Sequence, residues 1–426
     1  MDQAAQAKKG KAIIIGGSMG GLFAGNLLLR AGWQAEIHER VPGPLSDRGA
    51  GIVTHQELLH ALKLAGATVD ETLGVSIPSR VTFDRQGRSI AELPYEQLLT
   101  AWSRLLGVLE DAFPARHYHH GKALARIEQD ADSVTAFFED GTQATGDLLV
   151  GADGIRSATR AQAMPGIEPV YAGYVAWRGL VEESELGPQA HEALMERFAF
   201  YLPPNEQILT YPVAGRANAT SKGARRINFV WYRPADEETE LRRLQTDASG
   251  RHHAGGIPPT AIRPDVLDEV RKAATDTLPP VFAEVVHKTP LLFFQPIFDL
   301  ECERMAAGRV ALLGDAAFVA RPHSGMGVTK AAYDALELTE ALGSEAGIHQ
   351  ALARYQAERG RFGRSIVGHA RNMGACMLAN PRSAHEREMA RRYRDPGPLM
   401  RETAVSLRYL KLDQPGSTTA TASTRP

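Results

Sequence analysis

The hydrophobic pattern changes period twice within the first forty residues. Ala12-Ile13-Ile14-Ile15 is a short apolar, β-branched run, as expected of a strand covered on both faces. A glycine-rich turn follows, and Leu22–Arg30 then reads as a buried helix. A second strand is predicted at about 34–38, which makes a strand–helix–strand unit with parallel strands. Downstream the pattern predicts a short helix at 55–65 and a hairpin over Arg80–Ile90 turning near Gln86-Gly87. An amphipathic helix is predicted at 95–112, ending before Pro114. Strands follow at 123–128, 133–139 and 142–150, with Asp140-Gly141 as a hairpin turn.

From about 170 to 290 the character shifts. Tyr171–Gly179, Phe198–Leu202, Ile208–Val213 and Arg226–Tyr232 are aromatic runs that read as strands of an antiparallel sheet. Residues 235–264 are polar and rich in Gly and Pro, and read as loop. Helices are predicted at 265–275 and 280–287, a strand at 309–313, and helices at 326–342, 347–377 and 384–409. Residues 1–10 read as a loose leader, and 414–426, rich in Ser, Thr, Pro and Gly, as a disordered tail. The expected fold class is therefore α/β. A Rossmann-like dinucleotide-binding domain is split over 1–75, 95–170 and 290–375. An antiparallel β-sheet domain that binds substrate, 76–94 and 171–289, is inserted into it, and a helical segment follows at 376–413. Such an arrangement favours a ligand site at the domain interface.

Composition narrows the class. The chain has 426 residues, 23% charged, with a formal net charge of −2, so nothing points to nucleic acid or an anionic membrane. Cys302 and Cys376 are too few for a disulfide framework, and a reducing cytoplasm is expected. Lys8, Lys9 and Lys11 ahead of the apolar run 12–29 imitate a targeting segment or a membrane span. Five glycines with Ser18 and Asn26 interrupt that run, so strand and helix is the better reading. The histidines at 117, 119 and 120 and at 252 and 253 lack metal-ligand spacing, and no metal is expected.

The turn Gly16-Gly17-Ser18-Met19-Gly20-Gly21 carries the first chemistry. Gly16 permits the tight turn, and Gly21 lets the helix pack close to the strand. The helix N-terminus then offers bare amides and a positive dipole end to a pyrophosphate. Glu39, at the end of the second strand, is placed to accept hydrogen bonds from a ribose. Ser18 replaces the middle glycine of the usual motif. Two further strand ends carry an acid beside a glycine: Asp153-Gly154 and Gly314-Asp315. Either alone reads as an ordinary turn.

Together, these segments resemble the FAD-dependent aromatic hydroxylases of the p-hydroxybenzoate hydroxylase type, over roughly residues 10–375. The resemblance is tightest at Gly16-Gly17-Ser18, Tyr171–Gly179, Asn228–Tyr232 and Arg321–Gly327, where it points to the 2,6-dihydroxypyridine 3-monooxygenase-like branch. It implies non-covalent FAD, NADPH or NADH as co-substrate, and O₂. One oxygen atom is passed through a flavin C4a-hydroperoxide to an electron-rich hydroxylated ring. It also implies a homodimer. It assigns Glu39 and Arg40 to the adenosine end, Arg48 and the Gly51 loop to the flavin, and Asp153 to a mainly structural role. Asp315 falls at the ribityl–pyrophosphate region, and Pro322, Gly325, Met326 and Gly327 at the isoalloxazine ring. Phe318, Met326 and Gly107 depart from residues frequent in the wider family. His323 is the candidate catalytic base for the ring hydroxyl, since imidazole titrates near neutrality; the alternative is a histidine that bonds only to backbone. Tyr201, Tyr211 and Trp231 are candidates for the substrate pocket, against ordinary sheet packing. Arg178 is either a bridge between domains or a member of a surface or structural ion pair. Two other readings stay open: a different flavin oxidoreductase on this fold, and a non-catalytic FAD-binding sensor.

Overall fold

The computed structural model describes residues 9–45 and 51–405. Residues 1–8 of the expected leader, Arg48 and the predicted tail 414–426 lie outside the described residues. The first strand, Lys11–Ile15, sits in a six-stranded sheet between Leu148–Gly151 and Gln34–His38, parallel to both. Val310–Leu312 extends this sheet on one side, and Tyr118–His119 on the other. The alternation within the first strand explains its uninterrupted apolar run. Ala12 and Ile14 pack against the helices Met19–Arg30 and Gly327–Ser344. Ile13 and Ile15 pack against a three-stranded meander, Leu124–Gln129, Val134–Phe138 and Gln143–Gly146.

The second sheet has nine strands. In order they are Phe318–Val319, Phe293–Glu301, Val170–Glu182, Arg226–Pro234, Gln207–Val213, Arg197–Tyr201, Val75–Phe83, Ser89–Ala101 and Gly51–Val53. Neighbours are antiparallel except Arg197–Tyr201 with Val75–Phe83, which are parallel. One face packs on the helices Pro188–Leu194, Pro264–Thr277 and Pro280–Lys288. The other carries Tyr174, Phe198, Tyr211, Val230 and Tyr232 toward the C-terminal residues Met373, Leu399 and Met400.

Several elements differ from expectation. Residues 95–101 are strand, and the helix is Trp102–Ala112, because Pro94 and pairing on both sides draw this stretch into the sheet. The strand expected at 142–150 is two strands in two sheets. They part at Asp147, whose Oδ2 accepts the Lys11 N–H at 2.7 Å. Phe293–Glu301 is a strand that the pattern did not show. With Gly51–Val53 and Phe318–Val319, it carries the nine-stranded sheet beyond 76–94 and 171–289. The long helix expected at 384–409 breaks into Ala384–Tyr393 and Pro396–Glu402, since Pro396 cannot continue the first and starts the second. No helix among the described residues is long and apolar enough to cross a membrane.

Candidate active site

The turn after the first strand is made of close approaches. Gly16 has φ +102°, and a Cβ there would lie 2.5 Å from the Ala152 carbonyl oxygen. A Cβ on Gly21 would lie 1.9 Å from the Gly16 carbonyl oxygen, and one on Gly17 2.0 Å from the Tyr118 hydroxyl. The Ser18 hydroxyl makes no capping bond to the helix it precedes. Gly20 packs under Leu313, and Met19 is buried in the helical core. Glu39 braces the turn: its Oε2 accepts the Gly17 N–H at 2.8 Å and its Oε1 the Val41 N–H at 2.9 Å. A carboxylate with two such bonds keeps further lone pairs for a ligand.

Gly16, Ser18, Glu39, Arg40, Asp153 and Arg156 line one cavity of about 390 Å³. Trp102 and Lys122 also line it, and neither stood out in the sequence. Asp153 accepts from Ser157 Oγ at 2.5 Å and from the Thr159 amide at 3.0 Å. It therefore fastens the start of the helix Ala158–Ala163, while still facing the cavity.

Asp315 follows Gly314 in a single 3₁₀ turn, where Gly314 has φ +61°. Three buried charges hold this turn from beneath. Asp334 Oδ2 accepts the Gly314 N–H at 3.0 Å, Lys330 Nζ donates to the Gly314 carbonyl at 2.7 Å, and Arg359 Nε donates to Asp334 Oδ1 at 2.7 Å. Both backbone polar groups of Gly314 are thereby satisfied. Asp315 itself lines a second cavity. Crowding by protein raises its pKa from the usual carboxylate value; Lys330 opposes the rise and Asp334 adds to it.

The second cavity, about 210 Å³, lies between the nine-stranded sheet and the loop Pro322–Gly327. Gly154 lines the first cavity and the adjacent Ile155 the second. The pair suits a ligand with a nucleotide at one end and a flat ring at the other. The bare helix terminus and the Asp315 turn stand where such a ligand needs hydrogen bonds, so the residues present fit FAD.

The loop itself is a 3₁₀ turn, Pro322–Ser324, closed by Gly325 at φ +67°. Pro322, His323, Gly325 and Gly327 line the cavity, whereas Met326 is fully buried and outside the lining. On the sheet side, Gly51 lies under the Tyr211 ring: a Cβ there would come 2.4 Å from Tyr211 Cε2. Tyr211, Tyr232, Phe198, Leu209, Val230, Arg178 and Gln295 complete the wall.

Two expected pocket residues are elsewhere. Trp231 and Tyr201 project from the opposite face of the sheet, into the helical layer. Trp231 Nε1 donates to Glu206 Oε2 at 2.7 Å, and the Tyr201 ring lies near Phe282. The reason is strand parity: neighbours along a strand face opposite sides, so Tyr232 and not Trp231 reaches the cavity. Arg178 forms no ion pair among the described residues. Its Nη1 donates to Gln295 Oε1 at 3.1 Å, and its buried Nε has no hydrogen-bond partner among the described residues. Its charge is felt by both cavity phenols. Burial raises the pKa of Tyr232 and pushes that of Tyr211 up to about 12, and Arg178 opposes both rises.

His323 is 2% exposed. Burial, with the nearby Arg321 charge, pulls its pKa well below 6.5, so the expectation of titration near neutrality does not hold. Its Nε2 lies 2.9 Å from the Tyr174 hydroxyl, and Arg321 Nη1 approaches that hydroxyl at 3.4 Å. Arg321 is anchored by Asp299 and can only donate. In the tautomer where the Tyr174 hydroxyl donates its hydrogen bond to His323 Nε2, the neutral imidazole carries its own proton on Nδ1. That nitrogen has no partner among the described residues.

At the edge of the parallel sheet, Glu36, His38 and His119 stand with their ligand-type atoms within 4.8 Å of one another. Lys11 Nζ lies 2.9 Å from Glu36, and burial lowers the His38 pKa to about 4.

The family model for FAD binding domain-like proteins matches residues 171–299. The 2,6-dihydroxypyridine 3-monooxygenase of Paenarthrobacter nicotinovorans is 32% identical over 85% of this chain and 90% of its own length. The chain belongs to the FAD-dependent aromatic hydroxylases. A Klebsiella pneumoniae FAD-dependent urate hydroxylase is 29% identical over 85% of this chain and 88% of its own. Among solved structures, the 2,6-dihydroxypyridine-3-hydroxylase from Arthrobacter nicotinovorans superposes with a TM-score of 0.85 at 29% identity, covering 96% of this chain and 99% of that one. Klebsiella pneumoniae HpxO complexed with FAD and uric acid gives 0.70 at 25% identity, over 89% and 92%. This hydroxylase therefore binds FAD, is reduced by a nicotinamide nucleotide and consumes O₂.

Proposed function

We propose that this hydroxylase acts on a small hydroxylated N-heteroaromatic ring, of the dihydroxypyridine type, bound as its anion beside the flavin ring, against the sheet wall of the second cavity. The observation that carries the reading is Arg178, a cation on a largely apolar sheet wall whose buried Nε has no hydrogen-bond partner among the described residues. A ring oxyanion would satisfy it. Bound FAD would activate O₂ and deliver one oxygen atom to a ring carbon made electron-rich by that oxyanion. Gly16–Gly21, Glu39 and Arg40 would hold the adenosine and pyrophosphate, and Asp315 the ribityl end. Gly51, Pro322, Gly325 and Gly327 would flank the flavin ring, with Met326 supporting the loop from within.

The role of His323 follows from its tautomer. With its proton on Nδ1 and a low basicity, it would donate a hydrogen bond to the ring oxygen and hold it ionised, so that the substrate arrives at the reaction already activated. Tyr211 and Tyr232 would orient the ring. The homodimer belongs to this proposal on the resemblance, and the cytoplasmic location on two buried free thiols. The division into a cofactor domain and a substrate domain belongs to it as well.

A panel of hydroxylated pyridines and phenols, scored by flavin reduction and NAD(P)H oxidation, tests the reading. Acidic hydroxypyridines should stimulate both most strongly. Equal stimulation by uncharged, unhydroxylated rings would contradict it.

A further inference from the structure

We propose that the C-terminal segment Pro396–Val405 is the wall that closes the ring cavity to water, and that Arg80 is the positioning residue that holds it in place. The consequence for the reaction rests on the hydroxylase reading above.

After the helix Pro396–Glu402 the chain passes under the cavity face of the nine-stranded sheet. Leu399, Met400 and Ala404 join Phe198, Tyr211 and Tyr232 in one apolar cluster, and Thr403 and Ala404 line the cavity. Ala404 has φ +47°, a conformation that costs alanine energy and persists only where its surroundings enforce it. It also abuts the loop beside the flavin site: a Cβ on Gly325 would lie 2.4 Å from Ala404 Cβ.

The enforcing group is Arg80, on the strand Val75–Phe83 and 0% exposed. Its Nη1 donates to the carbonyls of Met400 and Thr403, and its Nη2 to the Ala404 carbonyl and Gln97 Oε1, at 2.5 to 3.1 Å. Gln97 Nε2 donates to the same Ala404 carbonyl at 2.8 Å. No carboxylate pairs with Arg80 among the described residues. Its charge is met by carbonyls at the C-terminal end of a helix and by the faces of Tyr95 and Phe198, 4.2 and 5.4 Å away. A buried cation without a counter-ion is costly, and an apolar side chain would fill the space more cheaply. What only a guanidinium does here is bind three carbonyls of the segment, those of Met400, Thr403 and Ala404, at once.

A sealed cavity bears on the outcome of each turnover. When coupled, NAD(P)H, a proton, O₂ and the ring give NAD(P)⁺, water and a ring with a new hydroxyl. When water enters, the same two electrons and two protons reduce O₂ to H₂O₂ and the ring is untouched.

The test uses the full FAD-loaded chain with Arg80→Met and Arg80→Lys. Three quantities are read: hydrogen–deuterium exchange of peptides covering 396–405, iodide quenching of flavin fluorescence, and H₂O₂ formed per NADPH with 2,6-dihydroxypyridine as probe. Arg80→Met should retain FAD, speed exchange in that segment by about tenfold or more, and raise both quenching and the H₂O₂ share. Arg80→Lys should fall between. Unchanged exchange, or faster exchange with unchanged quenching, overturns the proposal. If Arg80→Met fails to fold, Gln97→Leu carries the test, with a smaller shift of the same sign supporting the proposal and no shift overturning it. Exchange and quenching need no substrate, so a probe that is not hydroxylated counts against the substrate reading alone.

Discussion

The two sheets of this hydroxylase build their halves of the site by different means. In the parallel sheet the backbone makes the site: Gly16 and Gly21 bring main chain to main chain, Gly17 leaves room for the Tyr118 hydroxyl, and helix amides are left bare. In the nine-stranded sheet the side chains make it, and a shift of one residue moves a group from the cavity to the opposite core. Tyr232 lines the cavity while its neighbour Trp231 is packed among helices. A backbone-built site leaves letters that survive out of context, because only glycine takes those conformations. A side-chain-built site leaves a period of two whose phase is set by partners far away in sequence.

The sharpest way to break this contrast is to strike the cofactor half. Asp315→Ala removes the carboxylate of a residue that lines the second cavity from the braced Gly314 turn. It should purify largely without flavin, by absorbance at 450 nm, while its circular dichroism stays native. Full FAD content would dissolve the assignment. Next in size is His323→Leu, which removes the Nδ1–H and should keep FAD. Hydroxylation should slow by about 10²-fold, the scale for one lost donor to a developing or held anion. Substrates that are fully ionised at the assay pH should suffer least, and an unchanged turnover for all of them would rule the residue out.

The parity contrast is tested by a pair. Tyr232→Phe should change ring KM or coupling by up to about tenfold at native stability. Trp231→Ala should leave the ring affinity near normal but destabilise the fold by about 3–5 kcal/mol, as large buried truncations do. A reversal of those two outcomes would place the pocket on the other face.

The smallest effect concerns pH. Burial holds His38 and His55 neutral, with pKa values lowered to about 4, and holds that of His323 well below the usual imidazole value. An unfolded histidine binds its proton near 6.5, so between about 6.5 and 4 the unfolded chain carries more protons. Stability should therefore fall as pH drops through that window and be flat just above it. His55→Asn should flatten part of the slope in thermal melts, and an unchanged slope would remove His55 from this account.

Legibility followed the same division. Strand, turn and helix from Lys11 to Arg30, with Glu39, Asp153 and Asp315, were readable because their chemistry is local. Their supports were not: Lys330 and Asp334 read as an ordinary i,i+4 helix pair, and Arg359 joins them beneath Gly314 from a second helix at a separation that no local period marks. Trp231 misled because an aromatic on an inserted strand looks the same from either face. The strand Phe293–Glu301 was missed because Pro296 and two acids interrupt its alternation, although its pairing with Val170–Glu182 is extensive. His323 is marked by its loop, but its low basicity comes from burial and from the charge of Arg321, which Asp299 anchors.

The most direct measurement is turnover under ¹⁸O₂ in unlabelled water, with the best ring from the hydroxypyridine panel and NAD(P)H. The account predicts one ¹⁸O atom in the ring product for each hydroxyl gained, and the same product unlabelled when H₂¹⁸O is used with ordinary O₂. Label arriving from water, or NAD(P)H consumption that yields only H₂O₂ with every ring tested, would contradict it.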